Sequence, residues 1–192
     1  MNDVRDKWNR IYSKDQLAGP PAAVLTDNDN ILPTQGIALD LACGLGANSL
    51  FLAARGLEVD AWDISQVAVS HLAKQADSHG LNIQTRVIDI TAEALPMERY
   101  DLVITSHYLD RSLPPAILDA TRPGGLICYQ TFTAEKQINM GPSNPSFLLQ
   151  PKELESFVPD CEILAFKDES HNTNRDDPLA GRAFIIARKS IG

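Results

Sequence analysis

Two acidic residues, Asp40 and Asp63, flank a glycine-containing segment, a pattern typical of sites that hold a nucleotide-like ligand. Residues 38–65 (ALDLACGLGANSLFLAARGLEVDAWDIS) read as a strand, a glycine turn, a helix, a second strand and an acidic residue. Gly44 and Gly46 allow a sharp turn and a close approach of the backbone to a ligand. The helix that follows offers unpaired N–H groups and the positive end of its dipole. Asp63 ends the second strand, where a carboxylate can accept hydrogen bonds from ribose hydroxyls.

Two cofactor classes share these features, and two residues distinguish between them. A nicotinamide dinucleotide site has the pattern Gly-x-Gly-x-x-Gly, whose third glycine allows close packing of helix and strand. Ser49 stands at that third position here. Asp40, just before the turn, would repel a pyrophosphate, whereas it suits the ammonium and sulfonium groups of S-adenosylmethionine. The residues favour S-adenosylmethionine, and a nicotinamide-dependent oxidoreductase or a non-catalytic cofactor-binding protein remain as alternatives.

The order and spacing of several motifs resemble class I S-adenosylmethionine-dependent methyltransferases over roughly residues 36–132. The segments LDLACGLGANS and VDAWDIS resemble the first motif and its successor, and RVIDIT resembles the third-strand motif. YDLVITSHYL resembles the fourth-strand motif, and RPGGLICYQTF resembles the turn into strand five. The chain is most similar to small bacterial proteins of the tellurite-resistance methyltransferase type. Residues 131–154 depart from that group where acceptor specificity is usually set, so tellurite is not predicted as the substrate.

The resemblance implies a cofactor site built from strand ends and an N-terminal helix. Asp89 would approach the adenine amino group, and Trp8 and Tyr12 would cover the methionine end. Capping roles for Asp63 and Asp89 remain possible, as does simple packing of the two aromatic residues on the sheet. The expected cofactor-binding residues are Trp8, Tyr12, Asp40, Ala42, Cys43, Gly44, Gly46, Asn48, Ser49, Asp63, Ile64, Asp89, Ile90, Ser106 and His107.

His107 and Arg111 follow the predicted fourth strand, where the transferring methyl group should lie, and they are the candidate catalytic residues. They could orient or deprotonate an acceptor. Alternatively, His107 caps the strand end and Arg111 is a surface charge. Because a sulfonium is an excellent leaving group, methyl transfer by in-line displacement needs mainly a well-placed acceptor. Arg182 could reach the same pocket from the last hairpin.

The net charge and the cysteine content limit the classes of binding partner that we expect. The 192 residues carry a net charge of -8, so a nucleic acid is not an expected partner, and a small-molecule acceptor is favoured. The 3 cysteines show no metal-binding spacing, and no metal is predicted. The polar N-terminus lacks a signal sequence, and no segment has the length of a membrane span, so we expect a cytoplasmic enzyme away from membranes.

Alternating strand and helix patterns predict a single α/β domain of the Rossmann-like, doubly wound type. The resemblance implies a seven-stranded, mostly parallel sheet with an antiparallel last strand. An amphipathic helix is expected at residues 3–14. Within the one domain of residues 1–192, we expect an N-terminal helix and lid-like segment (1–35), a cofactor-binding core (36–132), and a specificity loop with a C-terminal hairpin (133–192).

Overall fold

The computed structural model describes residues 2–14, 17–90 and 95–191, and Thr91 of the RVIDIT motif lies outside these ranges. The helices are α1 (Asn2–Tyr12), α2 (Ala23–Thr26), α3 (Ala47–Ala54), α4 (Gln66–His79), α5 (Pro114–Ala120) and α6 (Glu153–Ser156). The strands are β1 (Ile37–Leu41), β2 (Glu58–Asp63), β3 (Ile83–Val87), β4 (Tyr100–Ser106), β5 (Thr121–Phe132), β6 (Glu162–Asp168) and β7 (Arg182–Arg188).

The strands form one seven-stranded sheet in the order β3-β2-β1-β4-β5-β7-β6. The pairs β1/β2, β1/β4, β2/β3 and β4/β5 are parallel. The last strand, β7, is antiparallel to both of its neighbours, β5 and β6. The prediction of a mostly parallel sheet with an antiparallel last strand is therefore confirmed.

Successive apolar side chains of the strands point to opposite faces of the sheet, and each face carries a hydrophobic core. Ala38 and Ile104 pack with residues of α2 and α3 on one face. Leu39 and Val103 pack with residues of α5 and α6 on the other. Because a strand points successive side chains to opposite faces, a strand covered on both faces is apolar throughout. Asp40 is the exception in β1, and it lies at the end of the strand that faces the glycine turn.

Local sequence signals set the ends of α4. The hydroxyl of Ser65 accepts a hydrogen bond from the backbone N–H of Ala68 at 3.2 Å, which caps the N-terminus of the helix. Gly80 ends the helix in the left-handed conformation, with φ of 64°. Serine at the N-cap and glycine just past the last turn are typical of these two positions.

The Pro-Gly-Gly segment before the fifth strand differs from its prediction as a turn. It is part of β5, and the register against β4 shifts between Tyr100 and Leu102. Gly124 has φ of 79° at this irregularity. A bulge in the strand thus absorbs the extra residues, since a glycine without a Cβ adopts this conformation without strain.

The N-terminal helix α1 forms as expected and packs against α4. The side chains of its predicted apolar face remain largely open to solvent, because Val4, Trp8 and Ile11 are 52%, 36% and 38% exposed. The helix therefore lies on the protein surface. Its residue Tyr12 contacts the glycine turn at the carboxyl end of β1. In the described part of the chain, no helix is long and apolar enough to cross a membrane.

Candidate functional site

The turn between β1 and α3 depends on an unusual backbone conformation at three residues. Ala42, Gly44 and Gly46 have φ values of 56°, 54° and 85°. Such angles strain a residue that carries a Cβ. A Cβ on Gly46 would collide with the side chain of Leu72 in α4. Glycine at this position therefore allows α4 to pack directly beneath the turn.

Asp40 lies beneath the turn and is completely buried. Its Oδ2 accepts a hydrogen bond from the hydroxyl of Ser49 at 2.6 Å, whereas its Oδ1 has no hydrogen-bond partner within the described residues. The net pKa of Asp40 is raised to about 7, because burial and the nearby charge of Asp63 outweigh the lowering effect of hydrogen bonding from Ser49 and Asn48. A buried carboxylate oxygen without a partner is costly, so the site favours a ligand that brings a cation or a donor.

Asp63 connects the end of β2 to the glycine turn. Its Oδ2 accepts a hydrogen bond from the backbone N–H of Gly44 at 2.9 Å, and its Oδ1 accepts one from the N–H of Ser65 at 2.8 Å. Burial raises the pKa of this carboxyl, and these backbone hydrogen bonds oppose the rise. The structure thus contains the capping contact considered as the alternative. A contact with ribose stays a prediction, and each oxygen has a further lone pair for it.

The side chain of Asn48 joins three parts of the site. Its Nδ2 donates to the hydroxyl of Ser106 at 2.9 Å, and its Oδ1 accepts from the backbone N–H of Ala22 at 2.8 Å. The first contact ties α3 to the end of β4, and the second ties α3 to the segment before α2. The N-cap of α3 is Gly46, which has no side chain with which to cap the helix.

Tyr12 brings α1 to the glycine turn. Its hydroxyl oxygen lies 2.8 Å from the position that a Cβ on Gly44 would occupy. Burial raises the pKa of this phenol, and the charges of Asp63, Cys43 and Asp40 raise it further. Trp8 stacks on Tyr12 with the ring centroids 5.6 Å apart. The expected aromatic pair is therefore at the site, although its contact with a cofactor stays a prediction.

Four further predicted residues lie around the same strand ends. Ile90 is buried in the core, and Cys43 is buried within the turn, where burial raises the pKa of its thiol well above the ordinary value. Asp89 and Ile64 are half-buried after β3 and β2. Burial raises the pKa of Tyr108 to about 12, with further contributions from Asp110, Asp89 and Asp63. The carboxylates at the ends of β2 and β3 thus lie near one phenol.

His107 leaves β4 in the left-handed conformation, with φ of 56°, and its N–H donates to the backbone oxygen of Gln130 at 2.8 Å. His107 is an exposed residue, and its ring lies beside that of Phe132. Desolvation of the ring by nearby protein atoms lowers the pKa of His107 to about 4, and the positive charge of Arg182 contributes. The ring is therefore neutral near neutral pH, and a neutral imidazole has one nitrogen that accepts a hydrogen bond.

Phe132 and Arg182 lie beside His107 at the ends of β5 and β7. The ring of Phe132 lies 5.6 Å from that of His107, and the Arg182 guanidinium lies 4.2 Å from its centroid. Arg182 Nη1 donates to the backbone oxygens of Pro178 and Ala180, whereas its Nε has no partner among the described residues. Sequence reasoning did not identify Phe132, although its position at the carboxyl end of a parallel strand was the available signal.

The guanidinium of Arg111, the other candidate catalytic residue, binds a carboxylate and two backbone oxygens. Its guanidinium donates to both carboxylate oxygens of Glu153, at 2.5 Å and 3.0 Å. It also donates to the backbone oxygens of Ser146 and Leu148, at 2.7 Å and 3.0 Å. These contacts fasten the loop after β5 to the loop after β4. A catalytic role for Arg111 stays a prediction, and the contacts themselves are those of a residue that positions a loop.

The sheet order, the glycine turn after β1 and the carboxylate at the end of β2 define the fold of class I S-adenosylmethionine-dependent methyltransferases. Residues 8–185 match the family described as "Tellurite resistance protein TehB". The chain belongs to this family, and the resemblance inferred from the motifs is confirmed.

Individual relatives agree with this assignment. The crystal structure of TehB from Haemophilus influenzae matches with a TM-score of 0.67 and 26% identity, covering 97% of this chain and 67% of that one. The protein named "Probable S-adenosyl-L-methionine-dependent methyltransferase TehB" from Haemophilus influenzae (strain 10810) is 29% identical over 165 residues, covering 79% of this chain and 56% of that protein. A protein of Eikenella corrodens named "Hemagglutinin 1" is 34% identical over 173 residues, covering 85% of this chain and 55% of that protein. The chain thus spans little more than half the length of these two curated relatives.

Proposed function

We propose that this protein transfers a methyl group from S-adenosylmethionine to a small-molecule acceptor by in-line displacement. The observation that carries the proposal is the buried carboxylate of Asp40, whose Oδ1 lacks a hydrogen-bond partner within the described residues. It lies directly below a glycine turn that leads into a helix. An ammonium group is the kind of ligand group that such an oxygen stabilises.

The polar groups of the site suit the charges and hydroxyl groups of S-adenosylmethionine. Asp40 would face the cationic methionine end, and Asp63 the ribose, with Asp89 close to the adenine. The first N–H groups of α3 and the positive backbone angles at Gly44 and Gly46 allow close approach. When bound, S-adenosylmethionine supplies an electrophilic methyl group on a sulfonium leaving group.

The acceptor side would be formed by His107, Phe132 and Arg182. The lowered pKa of His107 keeps the ring neutral, so one ring nitrogen would accept a hydrogen bond from an acceptor that carries a proton and would orient it. Arg182 would add a positive charge at the edge of the pocket. Positioning the acceptor in line would contribute most of the rate, up to about 7–11 kcal/mol of the barrier.

Three observations support this proposal. At the third position of the dinucleotide motif, Ser49 donates its hydroxyl to Asp40, and this pair places a carboxylate where a pyrophosphate would be repelled. The net charge of -8 favours a small acceptor over a nucleic acid. The three free cysteines fit our proposal that the protein acts in the cytoplasm.

Calorimetric titration with S-adenosylmethionine, S-adenosylhomocysteine, NAD⁺ and NADH tests the cofactor. We expect saturable binding of the first two only. The Asp40→Asn variant should bind both about 10–100-fold more weakly, because it loses a charge-assisted contact. Binding of a nicotinamide dinucleotide instead would contradict the proposal.

Formation of S-adenosylhomocysteine in the presence of small thiols, amines, hydroxyl compounds and oxyanions then tests turnover. A non-catalytic protein would bind the cofactor and show no turnover above the level without an acceptor. Radiolabelled cofactor with cell extract, separated by size, provides the control, since label in the protein fraction would indicate a macromolecular acceptor.

A further inference from the structure

Helix α1 has few apolar contacts to hold it in place. Its exposed apolar side chains, Val4, Trp8 and Ile11, contribute little burial. A helix of 11 residues is marginally stable by itself in water, so its position depends on specific contacts with the rest of the protein. Within the described residues, Asn9 and Tyr12 make such contacts.

Asn9 bonds to the N-terminus of α4. Its Oδ1 accepts from the hydroxyl of Ser65 at 2.7 Å and lies 3.3 Å from the backbone nitrogen of Val67, which also donates to it. The N–H of Val67 is among those that the first turn of a helix leaves without an internal partner. Asn9 therefore completes the cap that Ser65 begins, and it does so from a different helix.

The attachment point of Asn9 adjoins the cofactor site. The N–H of Ser65 donates to Asp63, and the other oxygen of Asp63 accepts from Gly44 in the glycine turn. Tyr12 lies three residues after Asn9 and therefore on the same side of α1. From there its hydroxyl reaches over Gly44. The bond at Asn9 thus fixes the residue that covers the turn.

We propose that Asn9 is a positioning residue that holds α1 closed over the glycine turn and so sets the lifetime of the bound cofactor. The inference rests on the proposed function, because it assumes that S-adenosylmethionine occupies the site beneath Tyr12. Release of the cofactor requires Tyr12 to move away. The contacts of Asn9 are lost in that movement, so their removal accelerates release.

Dissociation of radiolabelled S-adenosylmethionine, chased with excess unlabelled S-adenosylhomocysteine, measures this lifetime. We expect Asn9→Ala to raise the dissociation rate constant about 5–20-fold, as the loss of one to two net hydrogen bonds implies. Asn9→Asp keeps an acceptor oxygen at the positive end of α4 and should restore a rate within about twofold of the wild type. Arg10→Ala, on the exposed side of the same helix, is the matched control and should leave the rate unchanged.

A double-mutant cycle separates positioning from a general structural effect. Tyr12→Ala alone should raise the dissociation rate at least as much as Asn9→Ala, and the double variant should be no faster than Tyr12→Ala alone. Hydrogen exchange of the α1 amides without cofactor should be faster in Asn9→Ala, with unchanged exchange in β1 and β4. Additive effects on dissociation would show that Asn9 does not act through Tyr12.

The outcomes distinguish this inference from the proposed function. Binding by the wild type with equal dissociation rates in wild type and folded Asn9→Ala would overturn the role of Asn9 only. Failure of the wild type to bind S-adenosylmethionine would overturn the proposed function and this inference together.

Discussion

Arg111 and Glu153 form a bidentate ion pair between the loop after β4 and the start of α6, with donor–acceptor distances of 2.5 Å and 3.0 Å. The same guanidinium binds the backbone oxygens of Ser146 and Leu148. These two residues flank Phe147, whose side chain is 50% exposed, whereas Leu148 and Leu149 are buried. Of these three consecutive apolar residues, Phe147 alone is open to the surface, and Arg111 binds the backbone on both sides of it.

Replacement of Arg111 by alanine should lower the free energy of unfolding by about 1–2 kcal/mol, because several hydrogen bonds to one charged group are lost together. Chemical denaturation measures the change, and limited proteolysis should show new cleavage within residues 139–149. Arg188→Ala is the control, since Arg188 makes a single exposed pair with Glu162, and it should cost less than about 0.5 kcal/mol. A large loss of turnover at unchanged stability would instead support a catalytic role for Arg111.

Local signals made α4 predictable, whereas the contacts of Arg111 were not. Ser65 and Gly80 act through residues within one helical turn, so their effect can be read from neighbouring positions. The partners of Arg111 lie 35 to 42 positions away on irregular segments. No periodicity records such a contact, because it depends on how two loops pass each other in space.

The glycine turn of the candidate site was also predictable, because its signals lie close together in the sequence. The residues around the turn were less predictable. Strand, turn and acidic residue follow one another in sequence, and Asp40, Gly44 and Asp63 do meet in the structure. Phe132 and Arg182 meet because β5 and β7 pair in one particular antiparallel register. An apolar pattern of period two predicts both strands without specifying that register.

The Gly46→Ala substitution should be markedly more destabilising than Gly80→Ala. Both glycines have positive φ, so alanine is strained at either position. A Cβ at Gly80 meets nothing within 4 Å, whereas at Gly46 it collides with Leu72. We expect a loss of about 1 kcal/mol for Gly80→Ala and about 2–4 kcal/mol for Gly46→Ala, measured by denaturant unfolding. Equal losses would mean that α4 shifts to accommodate the methyl group.

His107 should remain neutral down to about pH 5, because burial and the charge of Arg182 lower its pKa to about 4. Its ordinary value is 6.5, so the unfolded chain binds a proton first as the pH falls. His107 therefore contributes stability that is present above pH 6.5 and is lost as the pH falls towards 4. A histidine titration by NMR, assigned with His107→Gln, measures the midpoint. Arg182→Gln should raise it, and a midpoint near 6.5 in the wild type would contradict the assignment.

The pKa of Asp40, raised to about 7 by burial, should make cofactor affinity depend on pH. Because binding an ammonium group requires the carboxylate, affinity for S-adenosylhomocysteine should increase up to about tenfold per pH unit between pH 5.5 and 7. The stability of the free protein should change in the opposite direction. Its folded-state pKa lies above the ordinary 3.8, so this contribution is complete below pH 3.8 and is lost as the pH rises through 7.

The Asp40→Asn variant distinguishes the ionisation of Asp40 from that of nearby carboxyl groups. Its side chain cannot ionise, yet it can still accept a hydrogen bond from Ser49. Calorimetry across pH 5.5–8 should show weaker binding with a flatter pH profile, and thermal unfolding without cofactor should lose part of its pH dependence. Asp63→Asn is the matched control, because burial also raises the pKa of Asp63. If Asp40→Asn kept the wild-type slope while Asp63→Asn lost it, the ionising group that governs binding would be Asp63. The unpaired oxygen of Asp40 would then not be the contact that selects a cationic cofactor.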